Sequence, residues 1–311
     1  MTMTPDIWTV VLILNKFLVY LSIAAAIGTA ANMLLFTHRD VLPSRYFTIR
    51  QWQTSMSKFS ILFIAIAFIA NLFDFFVQVG NMSETGLKGM FDPIMLNMLW
   101  VSSVGTLTFI RAIAFALAAA MMAYTLRLAN PLNSNTKLVF FGLFTLIIVL
   151  LLGASFTLSG HTNTLAFGSV TLIILHVALA SAWLGSLVPL IYASYCFNDN
   201  ELYLLMHRFG RYASWGVAIL LIAGTVMLVQ LMPSVEAMFS SAYGQLFILK
   251  IGGVLLLLAF AIAHKFFLVP HILQKDKGAI KLRHSIIAEA VIGLLVLFTT
   301  SIVTTAVGPA M

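Results

Sequence analysis

The sequence predicts an all-α fold, a polytopic membrane helix bundle with about eight transmembrane helices. Three observations predict it. Of the 311 residues, 61% are hydrophobic and only 9% charged, whereas a soluble domain carries roughly 25% charged residues. The mean hydropathy is +1.03, and the apolar residues fall into runs that meet the ~20 residues needed per crossing. Lys and Arg gather in every second loop between those runs. In lipid a helix satisfies its own backbone hydrogen bonds, so runs of this length form helices rather than an open sheet.

The spans read at roughly 7–36, 52–79, 94–126, 137–158, 164–193, 208–231, 243–268 and 284–306. The first run lacks a positive segment before it and is too long for the h-region of a signal peptide, so it reads as a span. The first and third are long enough to be tilted or to extend beyond the membrane. No internal repeat or low-complexity tract interrupts the chain, and residues 1–311 read as a single integral membrane domain.

The loop charges set an expected orientation. Arg39, Arg45 and Arg50 fill the first loop; Arg127 and Lys137 the third; Arg208 and Arg211 border the fifth. Lys265, Lys275, Lys277, Lys281 and Arg283 fill the seventh, while Lys88 is the only Lys or Arg of the intervening loops. The positive-inside rule makes the four basic loops cytoplasmic and puts both termini outside.

Several function classes are disfavoured. The net charge of +7 is dispersed among loops, without the basic arm or aromatic-basic platform that reads as nucleic-acid binding. Cys196 is the only cysteine, which rules out an intrachain disulfide and a CxxC metal motif. No GxxxxGK[ST] loop is present, so ATP-driven pumping has no support. No enzymatic activity is expected.

The polar residues inside the apolar runs carry the functional signal, because an ionisable group in a membrane is costly without a partner or a task. His176 lies about a dozen residues into the fifth span, with Trp183 at i+7 on the same face. His161 sits earlier, in the short loop from Ser159 to Thr164 on the outer side. At 1.5 Å per residue the two are about 22 Å apart along a continuous helix, so they read as successive stations rather than one site. Glu289 and His264 fall at similar depth near the inner ends of their spans, as a relay or a structural ion pair; Lys265, Arg208 and Arg211 are the competing partners. Asn71, Asp74 and Gln78 share a face of the second span, where Lys16 and Lys250 could neutralise Asp74. Arg111 should face the bundle interior.

Methionine is unevenly placed. Met1, Met3, Met82, Met90, Met95, Met98, Met232, Met238 and Met311 fall on the outer side, nine of the 15. Thioethers are soft ligands suited to Cu(I), and imidazole suits copper generally. Met90, Met95 and Met98 are the best placed for outer-face capture. Packing is the competing explanation, since methionine is adaptable in membrane helices.

The C-terminal half resembles the copper resistance protein D (CopD/PcoD) family of bacterial inner-membrane proteins. The residues that carry the resemblance begin with Ser159-Gly160-His161, His176, Trp183-Leu184-Gly185 and Pro189. Arg208-Phe209, Tyr243-Gly244 with Lys250, and Leu268-Val269-Pro270 follow. Leu282-Arg283 with Ser285, Glu289 with Gly293, Thr304 and Pro309 complete them, over roughly residues 155–310. The N-terminal half resembles the family only in general character. The resemblance implies copper movement across the inner membrane, usually beside a periplasmic CopC-type copper-binding partner, and implies His161 and His176 as the copper-handling residues. The chain departs from the family pattern at Thr162, where alanine is common, and at His264-Lys265, where Asn-Arg is common.

The leading expectation is a copper transport or homeostasis protein that moves copper, as Cu(I), inward through methionine and histidine stations. Two other classes compete. A b-type haem protein needs two histidines at one depth on facing helices. A copper-enzyme assembly factor would bind the metal without moving it.

Overall fold

The computed structural model describes residues 6–36, 46–83, 85–128, 134–158, 167–231, 235–274 and 277–305. Within them the chain forms ten α-helices and no strand, and eight of the helices are long and apolar enough to cross a membrane. Helix α1 (Ile7–Leu35) starts where the Asp6 side chain accepts a hydrogen bond from the Thr9 amide at 2.6 Å. That amide holds the Asp6 carboxyl below the usual carboxylate range. Helix α2 (Tyr46–Ser83) has 38 residues, about 57 Å at 1.5 Å each, well beyond a ~30 Å hydrocarbon core.

The run expected as one span over 94–126 is instead two helices, α3 (Pro93–Trp100) and α4 (Ser103–Arg127). Asp92 caps α3 through hydrogen bonds from the Ile94 and Met95 amides, with Pro93 in its first turn. The break has a local cause. The Ser102 hydroxyl accepts from the Val104 amide at 3.1 Å and starts α4 one residue before the helix proper. Gly105 then lies directly on α3: a Cβ there would stand 2.0 Å from the Trp100 carbonyl oxygen. Only glycine allows the chain to fold back that closely.

The remaining spans are α5 (Asn135–Thr157), α6 (Phe167–Cys196), α7 (Asp199–Leu231), α9 (Ala242–Ala263) and α10 (Gly278–Val303), with the short α8 (Val235–Ser240) before α9. Helix α7 begins nine residues before its expected start at 208. Asn198 and Glu201 bond reciprocally to each other's backbone amides, at 2.9 and 3.1 Å, as a capping box. Helix α9 does not stop at Ala263. It widens into a single π turn, His264–Leu268, and a 3-10 turn, Pro270–Ile272, follows. Lys277, in the left-handed region at φ 69°, then redirects the chain into α10.

Long-range hydrogen bonds establish that successive spans run antiparallel. Arg50 at the start of α2 donates to the Thr125 and Leu126 carbonyls at the end of α4, both at 2.9 Å. Arg283 at the start of α10 donates to Ser194 at the end of α6. These contacts gather the basic residues at one end of the bundle. At the other end Lys16, early in α1, donates to the Thr304 carbonyl just past α10.

Helix α1 packs against α2, α5, α6, α7 and α10. Its approach to α6 is a backbone contact. A Cβ on Gly28 would stand 2.0 Å from the Gly185 carbonyl carbon, and one on Gly185 would stand 1.7 Å from the Ala24 carbonyl oxygen. Small residues serve this purpose in lipid, where packing rather than water expulsion drives helix association. One turn on, the buried Trp52 indole donates to the Pro189 carbonyl at 3.1 Å and ties α2 to α6. Beyond Lys250 helix α9 is apolar, with Leu255, Leu256 and Ile262 exposed, the pattern of a lipid-facing span.

Candidate functional site

His176 is the tenth residue of α6 from the end opposite the basic one, about 14 Å along the helix axis. Its Nδ1 is buried and no group among the described residues meets it at hydrogen-bonding geometry. The ring faces α7 at Gly224, whose Cβ would lie 3.2 Å from Cε1 and 3.4 Å from Nδ1. Only the absence of a side chain at Gly224 lets the ring and Nδ1 lie this close to α7. The Leu220 carbonyl and the Lys250 ammonium of α9 are its polar neighbours. Lys250 therefore serves His176 rather than Asp74, which corrects the expectation from depth alone. Its ammonium lies 5.7 Å from the Phe247 ring centroid, and it has no ion pair among the described residues.

Asp74 is matched by α1, α2 and α4. Asn15 and Gln78 donate to its two oxygens at 3.1 and 2.6 Å, and Lys16 and Arg111 are its charged neighbours. Arg111 is buried, as expected; its Nε donates to the Ser155 hydroxyl at 2.9 Å, and its guanidinium sits 4.9 Å over the Phe156 ring. Asn71 donates to the Thr108 carbonyl at 2.8 Å. This network joins four helices, and among its members the buried Oδ1 of Asn71 has no hydrogen-bond partner among the described residues.

The outer methionines divide by environment. Met90 packs its Cγ onto Gly80 beside Trp8. Met95 packs against the Phe75, Val79 and Leu99 cluster. Met98 is 47% exposed and Met82 48%. His161 lies outside the described residues, as do Met1, Met3, Met232 and Met311.

At the basic end the structure brings His264 and Glu289 together. Both are buried, at 7% and 2% exposure, with Nδ1 and Oε2 3.2 Å apart. The other ring nitrogen, Nε2, is 2.8 Å from the Ser285 hydroxyl. Ser285 and Glu289 are i,i+4 on α10, so one helix face presents both to the ring. The π turn that begins at His264 carries the ring there: Val269 donates to the His264 carbonyl at 2.9 Å, five residues back. Two of the competing partners are engaged elsewhere. Lys265 donates to the Ser214 hydroxyl at 2.7 Å, and Arg208 reaches the Leu35 carbonyl at 3.5 Å. Sequence reasoning missed Ser285 in this cluster, although its spacing from Glu289 was a usable signal.

The pair opens onto a cleft of about 200 Å³ between α6, α7, α9 and α10. Trp183, Met206, Phe209 and Ser214 are among its walls. His176 and His264 thus stand at different depths in the bundle, not as the facing pair that axial haem ligation needs.

Residues 203–303 match the family Copper resistance protein D. Residues 3–165 match the Copper resistance protein D-like N-terminal domain. The chain belongs to the copper resistance protein D family. It is thus a multi-pass membrane protein of copper resistance and homeostasis. The N-terminal match includes Met90, Met95 and Met98 and extends the family over a half that the sequence reading credited only in general character. No curated protein and no solved structure matches the chain.

Proposed function

We propose that this protein moves copper across the bacterial inner membrane, from the periplasmic face to the cytoplasmic face, with His176 as a station inside the bilayer. The observation that carries the reading is the bare Nδ1 of His176, buried in a copper-resistance family member and packed at close range against Gly224 of α7. A buried nitrogen without a partner costs free energy unless something binds it. Family membership supports copper as the cargo.

Lys250 shapes what that station can hold. Its ammonium repels a divalent ion with twice the Coulomb energy it exerts on a monovalent one. The site therefore favours Cu(I), and holds it weakly enough to release it, as conduction requires. The basic end of the bundle is cytoplasmic by the positive-inside rule. Met98, exposed at the opposite end, and His161 would capture copper there, with a CopC-type periplasmic protein as donor.

The test is copper uptake into proteoliposomes by wild type and His176→Ala. We expect uptake by wild type and a drop of at least tenfold in the variant. Equal uptake by the two removes His176 from the path. Copper binding without any flux would instead identify an assembly or storage protein.

A further inference from the structure

We infer that the cleft at the basic end holds a second metal station, formed by His264, Glu289 and Met206, that takes a soft monovalent cation such as Cu(I). The choice of ion rests on the copper reading above; the site itself rests on the geometry around His264.

Three features support it. The first is how the imidazole is held. The Ser285 hydroxyl tethers Nε2, and Nδ1 faces the Glu289 carboxylate. A histidine whose far nitrogen is fixed by a hydrogen bond is the usual arrangement of a metal-ligating imidazole. The second is spacing. Two ligand atoms each about 2.0 Å from one ion subtend roughly 105° when they are 3.2 Å apart, close to the tetrahedral angle. One ion therefore fits between Nδ1 and Oε2 with little movement of either side chain.

The third is the chemistry of the walls. Met206, on α7, is buried and lines the same cleft as the pair. Its thioether supplies a soft donor, the imidazole a borderline one, and Glu289 the charge that balances a monovalent cation. His264 is the only ionic contact of Glu289 among the described residues. Lys265, the other charged side chain on the cleft, is exposed and tethered to Ser214. A purely structural ion pair would account for the 3.2 Å contact, but not for a thioether sharing the cleft onto which the pair opens.

The experiment uses the full-length protein in nanodiscs. Cu(I) is titrated against a chromophoric Cu(I) chelator under reducing conditions, with X-ray absorption on the loaded samples. His264→Asn and Glu289→Gln should each remove one bound equivalent or weaken it at least tenfold, whereas His176→Ala should leave that equivalent in place. Met206→Leu preserves the volume and the His264–Glu289 pair, so it guards against a folding defect; it should lose a sulfur scatterer from the copper shell. Unchanged stoichiometry and affinity in folded His264→Asn and Glu289→Gln would overturn the site, as would an unchanged sulfur shell in Met206→Leu. Binding and flux are read separately: a wild type that binds here yet transports nothing refutes the transport proposal and leaves this station standing.

Discussion

Gly224→Ala tests the His176 station without touching the imidazole. The added Cβ would lie 3.2 Å from Cε1 and 3.4 Å from Nδ1. Carbon and nitrogen atoms pack best near 3.5–4.0 Å, so the ring must yield by only a few tenths of an ångström. The stability cost should stay at the low end for overpacking, about 1 kcal/mol. The effect on a metal is much larger. An ion bound at about 2.0 Å from Nδ1 on the Gly224 side would sit roughly 1.4 Å from the new methyl carbon, which no contact allows. We expect the protein to fold with a slightly lower melting temperature in detergent, and its copper uptake into proteoliposomes to fall at least tenfold, matching His176→Ala. Wild-type uptake by folded Gly224→Ala would refute the reasoning, because it would mean that no ion approaches Nδ1 from the α7 side.

Three further predictions follow from the packing. Gly28→Ala places a Cβ 2.0 Å from backbone, so α1 and α6 must separate; the loss should reach or exceed the top of the usual ~1–3 kcal/mol range for overpacking, read as a collapse of thermal stability in detergent. Asp74→Asn leaves Lys16 and Arg111 without their carboxylate and should destabilise by about 3–5 kcal/mol. A double-mutant cycle with Lys16→Met should recover part of that loss; strict additivity would show that the two do not interact. Finally, with Cys196→Ser as background, Lys277→Cys should react with a membrane-impermeant maleimide only from the cytoplasmic side. Labelling of intact spheroplasts from outside would reverse the proposed orientation.

Much of the bundle was legible because it follows from one dimension. Run length marked eight spans, and loop charge separated the two ends. Where the reading failed, the controlling signal was short. The apolar run through Leu99, Trp100 and Val101 hid the break between α3 and α4, although Ser102 and Gly105 carried it. Asn198 and Glu201 carried the early start of α7, but His207, Arg208 and Arg211 interrupt the apolar run after them and concealed it. Depth along a helix was also legible, so His264 and Glu289 could be set at one level.

The sequence by itself determined the membrane class, the number of crossings, the alternation of charge and the family. Each depends on composition or on position along the chain. Only the tertiary structure decided which way each side chain turns and what it meets. Lys16 and Lys250 sit at comparable depth, yet Lys16 faces Asp74 and Lys250 faces His176. The Ser285–His264–Glu289 cluster likewise needed the π turn to aim the ring at α10. The physical reason is that apolar periodicity is nearly erased in helices that face lipid and protein with similar side chains. Depth therefore survives in the sequence, while azimuth is settled by close contacts such as Gly28 against Gly185.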